Sequence, residues 1–425
     1  MRIAFAIVSL FPGGGLQRDC IEIAKLVRDQ GHDVVIYTSR LHDHTLADDI
    51  PILLLQNGAF TNHNRQYQFA LDFLKEASGQ YDLLVGFDKL LELDVLYCAD
   101  PSMAYRVLKQ PLLRLFRRYR TYFGIENNSF APGKKTRMIL LSQNQVGEYR
   151  SAWDTESNRV ILVPPTLSLA RRQPDCRTNG TRHALRSTLG LADDDWVWLS
   201  IGVQPNTKGT DRAINALTRF PNAKLLIAGL SETNHVSIKL AKRTRQLGVA
   251  HRIKWLGHRE DISHLMAAAD LLVHPARYDT TGTVILEAVV NGLPVVTTAA
   301  CGYARHVDSA GAGIVVREPF EFRLFLAALE QAEDPSVSRA WSEAGAEYGR
   351  NPALYQGRLR AAEAIIQAAH EKLHGLHSET MPRLVPLGDA IPQDVVAPSA
   401  IPGATPEAAE SGSAAAFRSR NVRSR

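Results

Sequence analysis

The chain has 425 residues, 45% of them hydrophobic and 22% charged, enough for two or three globular domains and unlike a disordered, collagenous or coiled-coil protein. No run approaches the roughly 18–20 uninterrupted apolar residues of a membrane-spanning helix. Cys20, Cys98, Cys176 and Cys301 lie far apart with no CxxC pair, which argues against a zinc cluster or disulfide framework and fits a reducing compartment. The formal net charge of +5 is small for this length and matters only where it is concentrated.

Arg2 followed by Ile3-Ala4-Phe5-Ala6-Ile7-Val8 has the outline of a short secretory segment, yet no small-x-small cleavage site follows. It is read as a buried first strand, Ile3–Ser9. Further strands are expected at Val34–Tyr37, Ile52–Leu55, Leu83–Val85, Met138–Leu141 and Val160–Val163. The first helix starts near Gly15, with Leu16, Cys20, Ile23, Ala24 and Val27 as one apolar stripe, and stops at Gly31. Short apolar strands alternating with amphipathic helices indicate parallel βαβ units buried on both faces.

Pro164-Pro165 and the polar run Arg171-Arg172-Gln173-Pro174-Asp175 read as a linker. Alternation then resumes, with strands at Trp196–Ile201, Lys224–Ala228, Ile253–Leu256, Leu271–His274, Val295–Thr298 and Gly313–Val316. The expectation is an α/β chain of two Rossmann-like, doubly wound domains, 1–165 and 166–350, facing a cleft. A helical stretch over 351–375 packs back on the first domain, and 376–425, rich in Pro, Ala, Gly and Ser, is expected to be a disordered tail.

Three loops can carry chemistry, because ligands of such sheets bind beyond the carboxyl ends of the strands. In Phe11-Pro12-Gly13-Gly14-Gly15, the glycines and the following helix start suit a phosphate, or form a plain turn. In Gly202–Asp211, Lys208 beside a helix start becomes favourable if both meet a polyphosphate, and is otherwise a solvated lysine. After His274, Asp279 is either a loop acid or helix cap or a ligand to hydroxyls. Glu287 sits in a helix apolar enough to bury it, where a carboxylate needs partners. His42 and His44 are expected in solvent, Cys301 as a small packing side chain, and Tyr303 either packs in a turn or shapes the phosphate loop.

The chain resembles the retaining GT-B glycosyltransferases of family 4. The resemblance rests on Gly202…Lys208-Gly209, on Asp279-x7-Glu287 and on Asn291-Gly292-Leu293-Pro294-Val295. Phe11-Pro12-x-Gly14-Gly15-Leu16-Gln17-Arg18-Asp19, Val85-Gly86-Phe87, Leu93-Asp94-Val95, Ala99-Asp100, Leu265–Leu272 and Cys301-Gly302-Tyr303-Ala304 look like the subfamily that builds the lipopolysaccharide core. The resemblance implies glucose transfer from UDP-glucose to an inner-core heptose with retention of configuration and no required metal. It implies that Gly14, Gly15 and Lys208 hold the diphosphate, that Glu287 takes ribose hydroxyls, and that Asp279 takes sugar hydroxyls. Asp19 and Asp100 would sit near the transferred sugar and the acceptor. Three positions depart from the pattern: Asp279 where glutamate is usual, Thr207 where arginine precedes the lysine, and Thr166 where glycine is usual. Another nucleotide sugar, another lipid-linked acceptor, or a catalytically weakened membrane-binding protein of the same fold are the alternatives.

Positive charge concentrates in Arg106, Lys109, Arg114, Arg117, Arg118 and Arg120 and continues to Lys134, Lys135 and Arg137, interleaved with leucines and aromatics, with Glu126 the one acid among them. Such a segment suits an anionic membrane, and it also fits a solvated helix packing its leucines on the sheet or an RNA-binding face. The resemblance favours the membrane, with Arg114, Arg117, Arg118 and Arg120 as contacts on the cytoplasmic face, and no nucleic acid.

Overall fold

The computed structural model describes residues 1–42 and 49–375; the expected tail, and His44, lie outside the described residues. In the first half, β1 (Arg2–Ile7), β2 (Asp33–Thr38), β3 (Ile52–Leu54), β4 (Leu83–Gly86), β5 (Val95–Cys98), β6 (Arg137–Leu140) and β7 (Val160–Leu162) form one sheet in the order β3-β2-β1-β4-β5-β6-β7. In the second, β8 (Trp196–Ile201), β9 (Ala223–Ala228), β10 (Ile253–Gly257), β11 (Leu271–His274), β12 (Val295–Thr298) and β13 (Gly313–Val316) are ordered β10-β9-β8-β11-β12-β13. Every pairing is parallel.

Helices cover both faces of each sheet, so the strands are apolar on both sides. Ile3, Ala4, Phe5, Ala6 and Ile7 are all fully buried, as are Leu271, Leu272 and Val273. On the first helix (Gly15–Asp29), Cys20, Ile23, Ala24 and Val27 are buried, and Gly31 just beyond it takes φ +85°, open to a residue without Cβ. β5 is absent from the expected strands: Val-Leu-Tyr-Cys is four residues long and follows the polar Glu92 and Asp94, too short for a period to declare itself.

Strand order reverses between β1 and β4 in the first sheet and between β8 and β11 in the second. A crevice opens beyond the strand ends at each reversal, which places the loops after β1, β4, β8 and β11 at the natural binding positions. The linker runs through short 3-10 turns at Leu169–Arg171 and Pro174–Arg177. The chain returns past it at Gly357, where a Cβ would lie 2.3 Å from the Pro164 carbonyl. The last helix (Gly357–Leu373) lies on the first lobe: Arg358 Nε donates to Asp19 at 2.8 Å, Lys372 Nζ to Asp94 at 2.7 Å, and Arg137 pairs with Glu371.

Candidate active site

The loop after β8 turns through Gly202, makes one helical turn over Pro205–Lys208, and enters the helix Thr210–Leu217 through Gly209. Gly209 has φ +73°, and a Cβ there would lie 1.9 Å from the Pro275 carbonyl, so only glycine lets the loops after β8 and β11 touch. That contact brings Lys208 to Asp279, with Nζ 2.6 Å from Oδ2. The same oxygen lies 3.1 Å from Nε2 of His274, the last residue of β11, which is fully buried. Asp279 is therefore no helix cap: Gly282 occupies the cap of the next helix (Thr283–Val290), and no side chain bonds its amides.

Electrostatics fix the charge states. Burial would raise the Asp279 carboxyl, but the His274 hydrogen bond and the Lys208 charge outweigh it and hold it down to about 2. Burial would lower His274, but the hydrogen bond to Asp279 and the carboxylate charge push it up to about 9, while its buried Nδ1 has no partner. Near neutrality the group is lysine ammonium, aspartate carboxylate and imidazolium, one net positive charge at the mouth of a helix.

Glu287 follows about one turn into that helix, 6% exposed. Its nearest cation is Arg171, with Nε at 3.9 Å, and among the described residues its carboxylate accepts no hydrogen bond. Burial raises its pKa, opposed by Arg171 and by Arg18 from the first lobe. Arg18 and Arg171 border one cavity of about 270 Å³ together with Ser168 and His264. A buried carboxylate without donors suits a ligand that brings hydroxyl groups.

Across the crevice Gly14 caps the first helix without a side chain; a Cβ on Gly14 would lie 1.9 Å from Gln17 Oε1, which folds over that turn, whereas one on Gly15 would meet no atom within 4 Å. The lobes meet beside it. A Cβ on Gly302 would strike Ser142, Asn144 Nδ2 donates to the Ala299 carbonyl at 3.1 Å, and Tyr278 Oη donates to Glu148 at 3.2 Å. Tyr303 is buried beneath this junction, and Cys301 is buried with Thr297 Oγ1 at 3.5 Å from its sulfur.

Asp19 is placed differently from a residue facing a sugar. Its carboxylate is buried, with one oxygen on Tyr97 Oη and the other on Arg358 Nε, both at 2.8 Å, so it ties the first helix to the last. Direct contact with a substrate requires Arg358 to let go. Asp100, just beyond β5, is exposed and borders a cavity of about 340 Å³ with Gln17, Asp88 and Arg118. Position 207 leaves Lys208 without the usual neighbouring arginine; the nearby Arg277 is held by Asp211 in two 2.7 Å bonds. The residues sequence reasoning missed are His274, Glu148 and Asp88. His274 closes an apolar strand, the one legible sign of a side chain held for a purpose. A cavity of about 770 Å³ is lined by linker residues such as Gln173 and Cys176 and by Glu343 and Arg350, and none of the loops after β8 or β11 borders it.

The basic segment is not one helix. It is built of a short helix (Met103–Lys109), a 3-10 turn (Pro111–Leu115) and a longer helix (Arg117–Phe130), broken where Pro111 offers no amide. Leucines do not pack on the sheet throughout: Leu112 is 76% and Leu115 72% exposed, with Leu108 and Phe116 also outward. Glu126 is withdrawn from that surface, fully buried, with Lys89 Nζ at 2.6 Å and Ser102 and Trp153 as further donors. Arg114, Arg117, Arg118 and Arg120 are all exposed, and Arg118 also lies over the Tyr122 ring and borders the 340 Å³ cavity. No helix among the described residues is long and apolar enough to cross a membrane, and no three His, Cys, Asp or Glu among them converge on a metal position.

Comparison with known proteins adds the following. Residues 181–348 match the family model of the glycosyl transferases group 1. The chain is 34% identical over 380 residues to the lipopolysaccharide glucosyltransferase WaaG of Escherichia coli (strain K12), covering 86% of this chain and 98% of that one. It is 26% identical over 219 residues to the D-inositol 3-phosphate glycosyltransferase of Mycolicibacterium smegmatis, about half of each chain. Among solved structures, WaaG, a glycosyltransferase involved in lipopolysaccharide biosynthesis, superposes with a TM-score of 0.77 at 33% identity, over 85% of this chain and 99% of that one. Anabaena HepE in complex with UDP and glucose superposes with a TM-score of 0.66 at 21% identity, over 86% and 100%, a likeness of fold.

Proposed function

The chain belongs to the group 1 glycosyl transferases, and on that footing we propose that it moves glucose from UDP-glucose to an inner-core heptose of lipopolysaccharide. The reaction retains configuration and needs no metal ion. The observation that carries the reading is the pair Asp279 and Glu287. The first is fixed by Lys208 and His274 at the loop contact; the second is buried without a hydrogen-bond donor of its own.

Gly14, Gly15 and Lys208 take the diphosphate, Glu287 the ribose hydroxyls, and Asp279 the hydroxyls of the transferred sugar. Cleavage places negative charge on the β-phosphate and positive charge on the anomeric carbon. Lys208, once turned from Asp279 to the phosphate, and the helix amides lower that barrier, each such donor by about 3–4 kcal/mol. The carboxylate of Asp279, ionised across the working pH range, faces the developing cation without needing a covalent bond to it. Asp100 lies on the acceptor side, and Asp19 holds the first helix in register through Tyr97 and Arg358.

Exposed leucines beside Arg114, Arg117 and Arg120 support docking on the anionic cytoplasmic face of the inner membrane, about 1 kcal/mol per cation near the surface. The deciding experiment gives the purified full chain a panel of UDP-, ADP- and GDP-sugars with heptose-terminated lipopolysaccharide. Consumption of UDP-glucose with an α-linked product supports the reading, and use of another donor in its place removes it.

A further inference from the structure

The 340 Å³ cavity bordered by Asp100 lies beyond the carboxyl ends of β1 and β4, the strand reversal of the first sheet, and its composition is unusual for a fold-supporting void. Two carboxylates, Asp88 and Asp100, share it with three guanidinium groups, Arg40, Arg65 and Arg118. The lysine on its wall, Lys89, does not balance the carboxylates, because it is spent on Glu126 at 2.6 Å and the Pro101 carbonyl at 2.7 Å. Arg65 is braced by the Ala59 carbonyl at 2.9 Å and Asn62 at 3.1 Å, and Arg118, although exposed, lies over the Tyr122 ring. Asp88 takes the Val8 amide on one oxygen at 2.6 Å; among the described residues the other accepts nothing. Burial and the nearby Asp100 push Asp88 up to about 7. Carboxylates and amides recognise sugar hydroxyls, and planar guanidiniums recognise phosphate or carboxylate.

We propose that this cavity seats an acidic sugar of the acceptor, with Asp88 and Asp100 taking its hydroxyls and Arg40, Arg65 and Arg118 its phosphate or carboxylate group. The proposal rests on the glucosyltransferase reading above and deepens it: Asp88 becomes a residue that sets acceptor specificity. The groups that face Asp88 are Asp100, Lys89, the three arginines, Tyr122 and the Cys20 thiol. Asp88, pushed up to about 7, changes charge near neutrality, so acceptor affinity has an inflection near that pH.

The test uses the full chain without donor and a soluble probe, heptose-terminated lipopolysaccharide core oligosaccharide freed of its acyl chains, so that membrane binding plays no part. Calorimetry compares this probe with the same oligosaccharide after phosphate removal or after carboxyl reduction, which tells the two anionic groups apart. Native probe is expected to bind at least about tenfold more tightly than one of the neutralised forms. Arg118→Gln and Asp88→Asn each lose about tenfold, UDP affinity stays within twofold, and Asp88→Asn abolishes the inflection near pH 7. Equal binding of native and neutralised probes, or unchanged binding by both variants, overturns the proposal, as does no binding of any probe. Binding without glucose transfer from UDP-glucose leaves the cavity assignment standing and removes the reading on which it was built.

Discussion

Replacing Lys208 by Ala removes the ammonium 2.6 Å from Asp279 and, under the proposed mechanism, the one side-chain cation on the leaving diphosphate. Loss of a donor aimed at developing charge costs about 3–4 kcal/mol, so kcat should fall by about 10²–10³. The fold should hold. A buried carboxylate stripped of its only partner destabilises by about 3–5 kcal/mol, but Asp279 keeps the His274 imidazolium at 3.1 Å, and Lys208 is a quarter exposed. About 1–2 kcal/mol is the expected loss, seen as a fall of a few degrees in Tm. The assay follows UDP release at saturating UDP-glucose and acceptor, with thermal unfolding on the same preparations. A kcat within threefold of the native chain refutes the assignment of Lys208 to the leaving group. A collapse of Tm refutes the idea that His274 can hold Asp279 alone.

The imidazolium gives a pH signature. His274 is raised to about 9 against the downward pull of burial, so the stabilisation its charge lends to Asp279 is fully present below the ordinary histidine range and is lost as pH climbs through about 9, although a neutral Nε2–H can still donate. Activity should decline on that alkaline limb, and His274→Asn, which keeps an N–H donor but cannot titrate, should shift or abolish it in a pH–kcat profile. Glu287→Gln separates binding from stability. UDP affinity should drop about tenfold by calorimetry, while Tm stays level or rises, because the removed charge is buried with its nearest cation 3.9 Å away. Neutralising Arg114, Arg117 and Arg120 together to Gln should weaken sedimentation with anionic vesicles by about 100-fold at low salt, at about 1 kcal/mol each. The difference should shrink in 0.5 M salt, where the Debye length is about 4 Å against about 30 Å at 0.01 M; indifference to salt would disprove an electrostatic footing.

Local pattern was enough for much of this protein. Apolar runs such as Ile3–Ile7 and Leu271–His274 can only be strands covered on both faces, and such strands separated by helices pair in parallel, which leads to two doubly wound sheets and to loops beyond their carboxyl ends. The glycine at 209 and the acid at 287 were legible because a close backbone approach and a buried carboxylate each restrict the residue type sharply. Partnership was not legible, since it depends on which distant loops meet. Lys208 and Asp279 are 71 positions apart and meet because Gly209 lets two strand ends touch; Asp19 is taken by Arg358, 339 positions on, because the last helix returns to the first lobe. Surface was decided the same way: a leucine-rich basic run reads alike whether its leucines face a sheet or water, and only the packed neighbours turned Glu126 inward and Leu112 and Leu115 out. Sequence carries the short-range preferences that make elements, while charge pairing and exposure belong to distances that exist only once the chain has folded.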